Sequence, residues 1–130
     1  MADNHTRSTP YRTHRTSGDT TVVALQGEID LLTVPALMEH LDSLTADQFP
    51  DLVLDLRAVA FIDCAGLGVL CRALNRSRAR QGRLRLVTDS ARLLRILRCT
   101  GLTGAFEIHP RWPEDLAGTT AAQPVPASAG

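Results

Sequence analysis

Short β-rich runs alternate with amphipathic helical segments along the middle of this chain, and that alternation restricts the fold more than any other feature. Thr21-Val22-Val23-Ala24-Leu25 is rich in β-branched residues and is broken at Gly27. Leu52-Val53-Leu54-Asp55-Leu56 is almost continuously apolar, as in a strand covered on both faces. Leu84–Val87 reads as another strand, Phe106-Glu107-Ile108 as a short last one, and Tyr11–Arg15 as an irregular first one. Three segments between them have helical spacing. Pro35 suits the first turn of one that carries Val34, Leu37, Met38, Leu41 and Leu44. A second runs from about Ala65 to Gln81, with Leu67, Leu70, Cys71 and Leu74 as its expected core stripe. Arg72, Arg76 and Arg80 fall on another face, expected to be solvated, and Gly82 is expected to close the helix. Ser90 is placed to cap a third helix bearing Leu93, Leu94 and Leu97, stopped by Gly101. This order predicts an α/β fold, a mixed or parallel sheet of four to five strands with helices packed on it.

The chain's 130 residues suffice for one domain with a single modest core, and with only 4% aromatics that core must be aliphatic. A flexible N-terminal tail is expected over 1–10, a folded domain over 11–117 ending in a helical turn at Pro113–Ala117, and a disordered tail over 118–130. No apolar run approaches the roughly 20 residues that span a bilayer. The polar opening Met1–His5 lacks a hydrophobic signal core. A cytoplasmic protein with no membrane insertion is therefore expected. Three widely spaced cysteines fit free thiols better than a disulfide framework.

Formal net charge is zero, yet the charges are segregated. From Asp19 to Leu56 every ionised side chain is acidic; from Arg57 to Arg98 ten arginines face only Asp63 and Asp89. Every basic residue in the chain is arginine, so compositional bias explains the pattern better than selection for phosphate contacts, and no nucleic-acid partner is expected.

The octapeptide Phe61-Ile62-Asp63-Cys64-Ala65-Gly66-Leu67-Gly68 joins the buried strand to the second helix. Asp63 is placed to cap that helix, whose unpaired N–H groups and positive dipole end suit an anion or a thiolate. Ala65-Gly66-Leu67-Gly68 lacks the lysine and third glycine of phosphate-binding loops. Neither Cys-x-x-Cys nor clustered metal ligands occur, so no cofactor or metal is expected. A catalytic Cys–His pair would require His40 or His109 to fold beside Cys64, and no enzymatic activity is expected.

Two motifs resemble a known family. Gly27-Glu28-Ile29-Asp30, followed by the helix near Pro35, resembles the first motif of the STAS domain. Asp63-Cys64-Ala65-Gly66-Leu67-Gly68 resembles its signature, in which Asp-Ser-x-Gly-Leu precedes the second helix. Leu84–Val87, the helix from Ser90, and Gly101-Leu102 before Phe106-Glu107-Ile108 continue the resemblance in order. The small stand-alone anti-sigma factor antagonists of bacteria are the most similar in appearance.

The resemblance implies a STAS-like fold and a partner-switching regulator. Such an antagonist binds an anti-sigma factor, itself a GHKL-type serine kinase, and so frees a sigma factor. Phosphorylation of the serine after the signature aspartate ends that binding, because a phosphate adds about −1.5 to −2 charges to the contact surface. At that acceptor position this chain has Cys64, and neither Cys64 nor Ala65 bears a hydroxyl. The resemblance therefore implies an antagonist without phospho-regulation there, its partner surface comprising Asp30, Asp63, Cys64, Ala65, Gly66 and Leu67. Leu67 has core spacing as well, and Gly66 allows close backbone approach at the helix start. Two alternatives keep the fold: a soluble STAS subunit of a membrane transport complex, or a redox-sensing protein using the Cys64 thiol.

Overall fold

The computed structural model describes residues 11–16 and 18–113. The elements run β1 (Tyr11–Arg15), β2 (Thr21–Ile29), α1 (Val34–Leu44), β3 (Asp51–Ile62), α2 (Cys64–Ala79), β4 (Arg83–Val87), α3 (Ala91–Cys99) and β5 (Glu107–His109). The strands lie side by side in chain order; β1 is antiparallel to β2 and the others are parallel. This is the mixed α/β sheet that the sequence predicts.

Side-chain alternation assigns the two sheet faces. Leu25, Leu52, Leu54, Leu84 and Leu86 point to one face, where they form a single core with Leu37 and Leu41 of α1, Leu70 and Leu74 of α2, and Leu93 and Leu97 of α3. The intervening Val22, Val53 and Val87 cluster on the opposite face, with Trp112 packed against them.

Several expectations are corrected. Gly27 does not break β2: it adopts φ +73° within the strand, and the ladder to β3 continues to Ile29↔Ile62. β3 extends past Leu56 to Ile62, taking up two extra residues as bulges between Asp55 and Ala58 and between Val59 and Phe61. The buried stripe of α2 is Gly66, Val69, Leu70, Ala73, Leu74 and Ser77, which leaves Leu67 and Cys71 half-buried at its margin. Small residues let α2 sit closely, and the stripe rotates toward them. Arg72 is exposed as expected and Arg76 is half-buried, but neither is simply solvated, because both reach Asp42 of α1. Arg80 is half-buried at the C-cap of α2.

Helix ends separate what two glycines do. Gly101 has φ +75°, with Leu102 N–H donating to Leu97 carbonyl at 2.7 Å, so it stops α3 as expected. At the end of α2 the left-handed residue is instead Gln81 (φ 60°). Gly82 is needed for proximity, since a Cβ there would lie 2.2 Å from the Pro50 carbonyl oxygen. The two expected tails, and all of the expected Pro113–Ala117 turn but Pro113, lie outside the described residues.

Candidate functional site

At the carboxyl ends of β2 and β3 the chain brings together two turns. The first is the start of α2. Asp63 is extended (φ −104°, ψ −171°) and its Oδ1 accepts the Gly66 N–H at 2.9 Å, while its carbonyl accepts the Leu67 N–H at 2.9 Å. The capping expected of Asp63 is thus realised. Cys64, the first helical residue, is exposed, and so is Gly68 one turn later; Ala65 and Leu67 are half-buried between them and the core. The outer side of this first turn exposes a thiol at one end and bare backbone at the other.

The second turn leads into α1. Asp30 Oδ1 accepts the Leu32 N–H at 3.0 Å, and Thr33 Oγ1 accepts the Asp30 N–H at 3.0 Å, a reciprocal lock that shapes the four-residue loop. Leu31 and Leu32 are turned out of it and stand 73% and 89% exposed. The two turns touch through Ile29: its carbonyl accepts the Asp63 N–H at 3.2 Å. Gly66 explains the intimacy, since a Cβ on it would lie 2.6 Å from that same carbonyl oxygen and 2.7 Å from Ile62 Cγ1.

The structure thus gathers Asp30, Asp63, Cys64, Ala65, Gly66 and Leu67 at one end of the sheet. Gly66 is buried there, against Ile29 and Ile62. Leu31 and Leu32 are the exposed residues at this end that sequence reasoning overlooked. The available signal was an apolar pair between Asp30 and the helix, outside the helical period that begins at Val34.

The two candidate histidines are engaged elsewhere. His40 stacks on Tyr11 with ring centroids 4.5 Å apart and meets Thr13 Oγ1 at 2.7 Å; burial lowers its pKa. His109 lies 3.1 Å from Glu107. Neither forms a pair with Cys64. Among the described residues no group of three His, Cys, Asp or Glu side chains is placed to hold a metal, and no helix is long and apolar enough to cross a membrane. What this end of the molecule presents is an exposed leucine pair beside the start of α2, with Glu28 and Asp30 adjoining in the chain.

Several known proteins are similar to this chain. The STAS domain family model matches residues 11–114. The anti-sigma-B factor antagonist of Bacillus subtilis is 37% identical over 89 residues, 68% of this chain and 81% of that protein. The protein of the same name from Listeria monocytogenes is 37% identical over 86 residues, 66% of this chain and 75% of that protein. Among solved structures, an anti-sigma factor antagonist from Mycobacterium paratuberculosis superposes with a TM-score of 0.67 at 29% identity, covering 85% of this chain and 92% of that one.

Proposed function

The chain belongs to the STAS domain family, and from that membership we propose that it acts as an anti-sigma factor antagonist, binding an anti-sigma factor through the end of the sheet that carries α2's first turn. The observation that carries the reading is local. The residue after the capping aspartate is exposed at the helix start, and the neighbouring turn exposes an apolar pair, as a contact surface requires.

The partner in this reading is a serine kinase of the GHKL type, and Cys64 is its altered substrate position. A neutral thiol is close in size to a serine hydroxyl, so binding survives the replacement. Phosphoryl transfer does not, because neither Cys64 nor Ala65 has a hydroxyl. The antagonist is then held permanently in its binding form, and control passes to its synthesis or to another partner. The reading places the protein in the cytoplasm, where sigma factors act, and assigns the working unit to residues 11–117 between two tails.

The test is capture from the organism's own cytosol with added ATP, using the natural protein and a Cys64→Ser variant. Recovery of a GHKL-type kinase by both, with phosphate appearing only on the serine variant, supports the reading. Failure of both to bind such a kinase ends the antagonist assignment and leaves the fold.

A further inference from the structure

β3 outruns its neighbour. β4 ends at Val87, opposite Asp55, whereas β3 continues to Ile62. Where β4 would have continued, the chain turns into α3, leaving a cleft of about 90 Å³ between Val59, Phe61 and Ile62 on one side and Arg92, Leu93 and Ile96 on the other. Phe61 stands at its mouth, 47% exposed.

The charge beside this cleft is unmatched. Five arginines elsewhere in the basic half have acidic partners, Arg57 with Asp55, Arg72 and Arg76 with Asp42, Arg83 with Glu107 and Arg85 with Asp51, and Arg78 donates to the Ala105 carbonyl. Arg92, which lines the cleft, and Arg95, one turn along the exposed side of α3, have no ion-pair or hydrogen-bond partner among the described residues. An apolar slot flanked by uncompensated cations is complementary to acidic side chains alternating with large apolar ones. We propose that this cleft docks an acidic segment of a partner protein, which inserts an apolar side chain between β3 and α3 and sets a carboxylate against Arg92 and Arg95.

Recognition is by side chains. The two bulges in β3 interrupt the regular spacing of its backbone groups, so the strand presents no even edge to a further strand. A nucleic-acid strand is a poorer match, since it calls for cations along its length and an open groove, whereas two arginines border a narrow apolar slot. The proposal does not depend on the anti-sigma reading, which rests on the Asp30–Thr33 loop and the exposed start of α2.

The test is an NMR titration of the isotope-labelled full chain with the blocked peptide Glu-Leu-Asp-Phe-Glu. An isocharged peptide with serines for the apolar residues and a short single-stranded oligonucleotide serve as comparisons. Saturable shifts of amides in 59–62 and 90–96 are expected. Affinity should fall about tenfold for an Arg92→Glu/Arg95→Glu variant and for the serine peptide, each loss corresponding to about 1.4 kcal/mol. The serine peptide keeps the test independent of that variant's folding. The proposal is overturned by an absence of shifts, by equal shifts from the serine peptide or the oligonucleotide, or by shifts centred on Leu31 and Cys64. Concentration-dependent broadening of the cleft amides without peptide would overturn it too, assigning the cleft to a second copy of the chain.

Discussion

Two glycines one turn fraction apart in α2 are under opposite constraints. Gly66 faces the sheet, and any Cβ there would overlap the Ile29 carbonyl oxygen at 2.6 Å, a backbone atom that cannot swing away. Gly66→Ala should therefore destabilise the fold by about 1–3 kcal/mol, the usual cost of overpacking a close contact. Gly68 meets nothing within 4 Å, so Gly68→Ala should stabilise by up to about 1 kcal/mol through helix propensity alone. Urea denaturation of the two variants measures both, and equal effects would mean that the close approach at Gly66 is wrong. A large side chain at Gly68 has a different consequence. Gly68→Arg should leave the urea midpoint nearly unchanged while blocking a partner that rests on the exposed first turn. In the sequence both residues belong to one Gly-x-Gly. Gly66's closeness was legible from its place at a helix start; Gly68's openness was not, because it depends on which side of the helix the sheet occupies.

Among elements, the strands were legible at their cores and misjudged at their ends. Leu52–Leu56 is apolar because both faces are covered there, whereas Arg57-Ala58-Val59-Ala60 lies where β4 has ended, so its composition carries no burial signal. The α2 stripe was misread for a related reason: Leu67 and Cys71 are more apolar than Gly66, Ala73 and Ser77, yet closeness rather than hydrophobicity chose the buried face. The supposed solvated arginines became the bond between helices. Arg72 forks onto Asp42 at 2.9 and 3.0 Å, and Arg76 donates to the Asp42 carbonyl at 3.0 Å, meeting the carbonyl end of α1 where positive charge is favoured. The Arg72 hydrogen bonds hold the Asp42 carboxyl below the usual range.

A second pairing gives this level a pH signature. Glu107 of β5 receives two bonds from Arg83 of β4, at 3.0 and 2.6 Å, and these, with His109, bring its pKa down to about 2. A carboxyl depressed on folding stabilises the native state above its unfolded value of 4.5 and loses that contribution as pH falls toward 2. The pair is largely exposed, so its worth is about 0.5 kcal/mol or less. Urea midpoints measured from pH 6 down to pH 2 should therefore decline slightly less steeply for Glu107→Gln than for the natural chain. A steeper decline would reverse the sign of the coupling.

For the whole molecule, segregation of charge along the chain is partly undone in space, since Arg72 and Arg76 reach Asp42 and Arg85 reaches Asp51. Much of the basic half is neutralised internally, and what remains unpaired on α3 lies across β3 from the acidic loop that carries Leu31 and Leu32. That loop has no structural need for its leucines. Asp30 and Thr33 shape it through backbone and hydroxyl groups, and both leucine side chains point to solvent. Two adjacent exposed leucines cost solubility and contribute nothing to the core, which is intelligible if a partner covers them. Replacing both with serine should change the urea midpoint little, as for surface substitutions generally, within about 0.5 kcal/mol. The same Leu31→Ser/Leu32→Ser variant should lose about tenfold or more in affinity for the captured anti-sigma factor, as truncated interface anchors do. Calorimetry of the natural and variant proteins with that partner separates the two effects. Unchanged affinity would remove the loop from the interface and leave α2's first turn to carry the contact alone. Loss of stability together with affinity would instead show that the leucines pack against the domain in solution, and that the surface is not the one described.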